Sequence, residues 1–210
     1  MGRLVKFSVG LVLALLVVIP LILGVIIRSI PDGFQPSLDR TANVDFQNTI
    51  SETFRASKNN LSTIGLSIKN PSLLNKDPLL FNIYNGDQII RSVQLSGANI
   101  PDGDFVKINF PPITDSQGNT YKIEFSAPDT HQNSLQPFIS NQKTDDETLM
   151  INGQDMDGSI SFVPYYKSSN PIVSAFSIYG NIFSQLGKDL GFAIIYILII
   201  AGLLGYLLLI

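Results

Sequence analysis

Cysteine and tryptophan are both missing from these 210 residues, and histidine occurs once, at position 131. Without cysteine neither a disulfide framework nor a thiolate metal site can form. A single histidine excludes a multi-histidine metal centre, and without tryptophan a sugar site must draw its flat surface from Tyr or Phe. Basic character is missing too. Positions 29–189 hold eleven Lys and Arg (14 less Arg3, Lys6 and Arg28) against all 17 acidic residues, a net of −6. That balance argues against a basic nucleic-acid surface. Charge of either sign disappears from residues 7–27 and 190–210, which Leu, Ile and Val dominate.

Those two stretches explain the positive mean hydropathy of +0.24. At 1.5 Å per residue each is long enough, as a helix, to cross a hydrocarbon core of roughly 30 Å. Arg3 and Lys6 precede the first with no acid among them, which favours a cytoplasmic N-terminus. The apolar run exceeds the roughly 7–15 residues of a signal-peptide core, and no small-x-small cleavage signal follows it. An uncleaved signal-anchor is therefore expected over 1–28. With a second span at 190–210, both termini fall in the cytoplasm and the region between them lies outside it. Pairs of small residues, Gly10 with Ala14 and Ala201 with Gly205, suit close helix approach within the spans.

Between the spans the pattern changes three times. Residues 29–43, with Pro31-Asp32-Gly33 and Pro36, show no period and are expected to form a linker. From Val44 to 169 short apolar alternations dominate: Ile64, Leu66, Ile68; Leu79, Phe81, Ile83; Val106, Ile108, Phe110; Tyr121, Ile123, Phe125; Ile160, Phe162. Every second residue on one face is the mark of a half-buried strand. Less regular candidates are 49–56, 89–95, 137–140 and 148–152. Turn residues separate the runs at Asn85-Gly86, Pro101-Asp102-Gly103, Gln117-Gly118-Asn119, Asn152-Gly153 and Asp157-Gly158, and the Asn-Gly and Asp-Gly pairs, Asp157-Gly158 among them, are expected to make tight hairpins. Many short strands without an intervening helical period predict a mainly β fold, an antiparallel jelly roll or sandwich. From 170 to 189 the spacing of Ile172, Phe176, Tyr179, Phe183 and Leu186 predicts an amphipathic juxtamembrane helix.

Candidate chemistry is sparse. His131 stands in a polar loop-like run, and no G-x-S-x-G elbow accompanies it, so nucleophilic catalysis is not expected. Acids that glycoside hydrolysis would need fall in turns: Asp102, Asp104, Asp115 and Asp145-Asp146-Glu147. Glu124 alone sits on a clear strand, on the polar face. Asp155 and Asp157 offer oxygen ligands suited to calcium, without the spacing of an EF-hand. Aromatic candidates for sugar stacking are Tyr84, Phe138, Tyr165 and Tyr166; adjacent on a strand, the last two should face opposite ways. Asn60-Leu61-Ser62 matches a glycosylation triplet of a kind that chance supplies in a chain of this length.

Further sequence features carry a family resemblance. They are Phe54-Arg55-Ala56-Ser57 followed by Asn60-Leu61-Ser62-Thr63-Ile64-Gly65-Leu66, the run from Phe110-Pro111-Pro112 to Gly118-Asn119-Thr120-Tyr121, Ser126-Ala127-Pro128-Asp129, and Asp157-Gly158-Ser159-Ile160-Ser161-Phe162 ahead of Tyr165-Tyr166. Over 45–167 the chain resembles extracytoplasmic β-sandwich domains of bacterial membrane proteins, some of them joined to membrane glycosyltransferases. The resemblance implies a jelly roll like that of carbohydrate-binding modules and work on surface glycans or their assembly. It supplies no catalytic residues, and this chain has neither the further spans nor the catalytic loop of the glycosyltransferase-linked members. The expectation is a non-enzymatic membrane protein whose partners are the lipid bilayer and either a surface polysaccharide or another membrane protein. Its rivals are a glycan-active enzyme with paired carboxylates and a structural subunit of a larger membrane complex.

Overall fold

A computed structural model of the chain describes Gly10, residues 29–33, 35–142 and 147–168, Asn170, Phe176, Gly180, and residues 183–184 and 187–209. The chain divides into two compact units, one of residues 1–33 and 168–210, the other of residues 34–167.

In the first unit a short strand, β1 (Ser29–Pro31), and a 20-residue helix, Leu190–Leu209, are described. The helix is built from Leu, Ile, Ala, Gly and aromatic residues only, and exposed Leu190, Ile194, Ile195, Ile197 and Leu198 lie along it. Counting described residues alone, no helix is long and apolar enough to cross a membrane. The expected first span lies outside the described residues apart from Gly10, which is helical. Most of the expected amphipathic helix lies outside them too; Phe176, Gly180, Phe183, Ser184, Gly187 and Lys188 are helical.

The second unit is built of antiparallel strands. They are β2 (Arg40–Thr41), β3 (Ile50–Arg55), β4 (Leu61–Lys69), β5 (Pro78–Asn85), β6 (Gln88–Ser96), β7 (Asp104–Ile113), β8 (Thr120–Ser126), β9 (Gln136–Ser140), β10 (Thr148–Ile151), β11 (Gln154–Met156), β12 (Ser159–Ile160) and β13 (Phe162–Lys167). One sheet runs β13-β4-β9-β12, with β7 also paired to β4 and β2 to β9; the other runs β11-β10-β3-β8-β5-β6. The mainly β antiparallel sandwich expected from the alternation is the fold observed.

Alternation decides which face each strand buries. Leu79, Phe81 and Ile83 of β5, with Ile123 and Phe125 of β8, meet Ile64, Leu66 and Ile68 of β4 and Ile108 of β7 in one core, all fully buried. Rings touch across the two sheets: Phe81 lies 6.3 Å from Phe110, and Phe54 meets Phe162 edge-on at 5.2 Å. Each such side chain contributes about 1.5–3 kcal/mol by leaving water. Strand β4 departs from half-burial, because its other face is covered as well. There Phe105 and Tyr165 lie over Gly65, where a β-carbon would stand 2.4 Å from one ring and 2.9 Å from the other. Glycine lets both rings reach the strand backbone.

Turn chemistry explains two hairpins. Asn85 pairs with Gln88, leaving Gly86 and Asp87 as the turn, with φ +59° at Gly86. Ile151 pairs with Gln154 around Asn152 (φ +53°) and Gly153 (φ +76°). Positive φ at the first central residue, or at both, matches the right-handed strand twist.

Two expectations are corrected. Asp157-Gly158 is not a hairpin: β11 belongs to one sheet and β12 to the other, so this pair carries the chain across the sandwich. Gly158 has φ +101°, and a β-carbon there would stand 2.4 Å from the Ser140 carbonyl. Nor are residues 29–43 a free linker throughout. Gln35 donates to Ser67 Oγ, Ser161 donates to the Pro36 carbonyl, Ser37 and Ser140 share a hydrogen bond of 2.8 Å, and β2 pairs with β9. Serines on the outer face of the first sheet recruit this segment as a strap, a cross-sheet match that local periodicity does not encode.

Candidate functional site

The loops after β4, β6 and β8 converge on a buried amide ladder. Asn70 donates through Nδ2 to the carbonyls of Asn75, Gly97 and Ile100, and its Oδ1 accepts from the Asn75 backbone at 2.9 Å. Asn75 in turn donates to Thr130 Oγ1 at 3.2 Å and to the Asn133 carbonyl at 2.9 Å. Asn70, Asn75 and Thr130 are almost wholly buried. Stripping one such partner would leave a buried polar group unsatisfied, at about 1–3 kcal/mol. Gly97 has to be glycine: a β-carbon would sit 2.2 Å from Asn75 Oδ1.

On this floor an open cleft of about 420 Å³ lies between residues 74–77 and 129–133. It is lined by Leu74, Asn75, Lys76 and Asp77 on one side and by Asp129, His131, Gln132 and Asn133 on the other. Beside it the turn at Asp45, whose Oδ1 accepts from the Gln47 and Asn48 backbones, presents Phe46. The Phe46 backbone donates to the Thr130 carbonyl, its ring lies 4.6 Å from that of His131, and it stays 48% exposed. No hydrogen bond ties His131 to a hydroxyl or carboxylate among the described residues, so the nucleophile–base–orienter chain of acyl transfer is not assembled there.

The aromatic residues singled out from sequence do not come together. Tyr84 is on the outer face of the second sheet, donating to Glu124 Oε1 at 2.8 Å beneath the Lys122 ammonium, 4.1 Å from its ring centre. Burial, and then the Glu124 carboxylate, push its hydroxyl above the usual value of 10.0. Phe138, half-buried, faces outward on the first sheet under Lys69, 5.3 Å away. Tyr165 shares that outer face yet is only 8% exposed, covered by Lys107 at 4.6 Å, and burial raises its pKa. Tyr166, beyond a bulge, turns into the core and accepts a hydrogen bond from the Ser57 backbone. Opposite facing holds for the two tyrosines, but neither offers an open ring.

Asp155 and Asp157 are both exposed, on β11 and in the crossing that follows, and the Asp157 carbonyl accepts from Arg40. Among the described residues no cluster of three His, Cys, Asp or Glu suits a metal ion. Of the acids weighed for hydrolysis, Asp145 and Asp146 lie outside the described residues, and others are dispersed: Asp102 precedes β7, Asp104 opens it, Asp115 follows it, and Glu124 faces out from the opposite sheet with Tyr84 and Lys122. Ser62 of the glycosylation triplet is buried in β4 and donates to the Tyr165 carbonyl at 3.4 Å, while Asn60 stands just before the strand. Sequence alone missed the cleft because 74–77 and 129–133 are far apart in the chain and share no motif.

The class defined by these observations is an antiparallel β-sandwich with a polar cleft at its loops. No family model and no curated protein matches the chain. Among solved structures, a ruminal GH26 endo-β-1,4-mannanase shares 9% identity over 67% of this chain with a TM-score of 0.34, and the Podospora anserina GH26-CBM35 β-(1,4)-mannanase 10% over 69% with 0.32. This chain spans only 22% and 26% of those two proteins. Carbohydrate-binding module CBM36, in complex with calcium and xylotriose, shares 11% identity over 66% of this chain and 99% of its own, with a TM-score of 0.28. The fold assignment rests on the sheets themselves.

Proposed function

We propose that this chain is a non-enzymatic, membrane-anchored protein that displays a jelly-roll sandwich outside the cytoplasm and binds a sugar unit of a surface polysaccharide in the cleft between 74–77 and 129–133. The observation that carries the reading is the cleft itself. Donors and acceptors line it, its Asp77 and Asp129 carboxylates have no ion pair among the described residues, and an exposed ring, Phe46, stands beside it. A pyranose has hydroxyls around its rim and apolar C–H faces, so it needs this combination of polar walls and an aromatic plate. Anchoring is supported by the uncharged stretches at 7–27 and 190–210 and by the basic residues before the first. Calcium at Asp155 and Asp157 has no support from their geometry.

One rival has an observation of its own. Asp77 and Asp129 line the same cleft, as the two carboxylates of a glycoside hydrolase would.

The test is retention of the full-length protein, in mild detergent, on immobilised bacterial polysaccharides and defined oligosaccharides. Phe46→Ala and Asp129→Asn should each weaken binding by about tenfold, the effect of losing roughly 1.4 kcal/mol. Phe138→Ala, under Lys69 on another face, should leave binding unchanged. Equal binding by all variants would remove the cleft from the account. Cleavage of the oligosaccharide, abolished by Asp77→Asn, would replace binding by hydrolysis. Protease added to intact cells should cut within 44–169; protection there would refute the placement.

A further inference from the structure

The chain contains two Asn-Gly pairs, Asn85-Gly86 and Asn152-Gly153, and the fold treats them in opposite ways. In such a pair the following residue has no side chain to block its backbone nitrogen from approaching the asparagine amide. Whether the two atoms meet depends on what else holds them.

Asn152 is clamped at every polar atom of its side chain. Its Oδ1 accepts from the Thr49 backbone at 2.9 Å, its Nδ2 donates to Asn48 Oδ1 at 3.0 Å, and its own backbone N–H donates to the Thr49 carbonyl at 3.0 Å. Reaction there would break two side-chain hydrogen bonds and swing the amide away from Asn48 and Thr49. Asn85 is exposed, and its amide makes no hydrogen bond among the described residues. The hairpin pairs Asn85 with Gln88, so the Gly86 N–H lies in the turn, outside the ladder and without a partner among the described residues.

We propose that Asn85 is a site of spontaneous deamidation, and that the folded protein directs this modification to Asn85 and away from Asn152. The Gly86 backbone nitrogen attacks Asn85 Cγ; the new N–C bond forms as the Cγ–Nδ2 bond breaks. Ammonia departs carrying the proton that left Gly86, and a five-membered succinimide remains. Water then adds to either ring carbonyl and opens it, giving aspartate or isoaspartate. Oxidation states do not change, and the net reaction is an amide and water giving a carboxylic acid and ammonia.

Both products alter the hairpin. Either one places a second carboxylate two residues from Asp87 in the same turn, where like charges repel. Isoaspartate also adds a methylene to the main chain within the Asn85–Gln88 pair, beside the Tyr84–Ile89 pair that separates it from the bulge between Ile83 and Tyr84. None of this depends on sugar binding.

The experiment is to hold the full-length protein in detergent at mildly alkaline pH and 37 °C, then digest it and resolve the peptides by mass spectrometry. The Asn85 peptide should gain the mass of an acid over an amide and split into two chromatographic forms, one labelled by an isoaspartate methyltransferase. Its loss should be several-fold faster than that of the Asn152 peptide. In urea the two should react alike, and Asn48→Ala, which frees one clamp, should raise conversion at Asn152. Asn85→Gln should abolish the modification at that position. Equal rates in the folded protein, faster reaction at Asn152, or reaction at Asn85 only after unfolding would each overturn the proposal.

Discussion

Ser159 on one sheet donates its hydroxyl to the Glu52 carboxylate on the other at 2.7 Å, inside the core of the sandwich. The Ile160 backbone N–H donates to the second oxygen of the same carboxylate. Glu52 lies on β3 between Ile50 and Phe54, on the face where alternation demands an apolar residue, and it is fully buried. A buried carboxylate persists only where donors satisfy it. This one joins the two sheets at the point where the chain has just crossed between them. Glu52→Ala should therefore leave the Ile160 N–H unsatisfied and the Ser159 hydroxyl with only its 3.2 Å bond to the Ile160 carbonyl, and destabilise the protein by about 1–3 kcal/mol. Ser159→Ala, which removes one hydrogen bond to the Glu52 carboxyl, should cost about 0.5–1.5 kcal/mol. Urea denaturation of both variants measures the difference, and equal midpoints to wild type would show that the link contributes nothing.

Gly65 sets the outer face of the first sheet. Gly65→Ala should force Phe105 and Tyr165 off the strand and cost about 1–3 kcal/mol, the usual penalty of overpacking. Combining it with Phe105→Leu should return part of that loss, because the nearest obstructing atom belongs to Phe105. Strict additivity in the double-mutant cycle would mean the rings do not press on that position.

Asp39 anchors the strap. Hydrogen bonds from the Asn141 backbone N–H, and then from the Ser37 hydroxyl, hold its carboxyl below the usual value of 3.8. A depressed folded-state pKa means the stabilisation is present above the unfolded value and disappears as pH falls through the folded one. Wild type should thus lose stability relative to Asp39→Asn between about pH 5 and strongly acidic solution. Thermal melts of the two proteins at several pH values should converge at the acidic end; curves that stay parallel would contradict the assignment.

Tyr165 shows the opposite sign. Burial raises its pKa above 10.0, so its contribution is complete below the unfolded value and is lost as pH rises through the folded one. In a spectrophotometric alkaline titration Tyr165→Phe should remove amplitude from the late-ionising part of the curve. Removal of early-ionising amplitude would show that the hydroxyl is in water.

Much of the sandwich was legible in advance. Alternating runs located β5, β7 and β8 at their centres, because a strand half in water writes its orientation into every second residue; β4 was located by Ile64, Leu66 and Ile68 although both its faces are covered. The Asn85-Gly86 and Asn152-Gly153 turns were legible for the same local reason: positive φ selects those residues. Sequence did not reveal that Tyr165 is covered, since its cover comes from Lys107 on β7, two strands away across β4. The inward turn of Glu52 was hidden likewise, because its donors lie 107 and 108 positions further along.

Composition and period alone determined that this protein is mainly β between two uncharged stretches, that it has no cysteine or multi-histidine chemistry, and where most strands run. Those properties follow from the solvent each short segment must meet, and a segment carries that information within itself. Which loops meet, which ring is covered and which carboxylate is buried were decided only by the tertiary fold. Asn75 reaches Thr130, and Gln35 reaches Ser161, only after the sheets have paired. The cleft at 74–77 and 129–133 exists for that reason, since contacts between residues distant in sequence are set by the packing of two sheets and leave no local pattern behind.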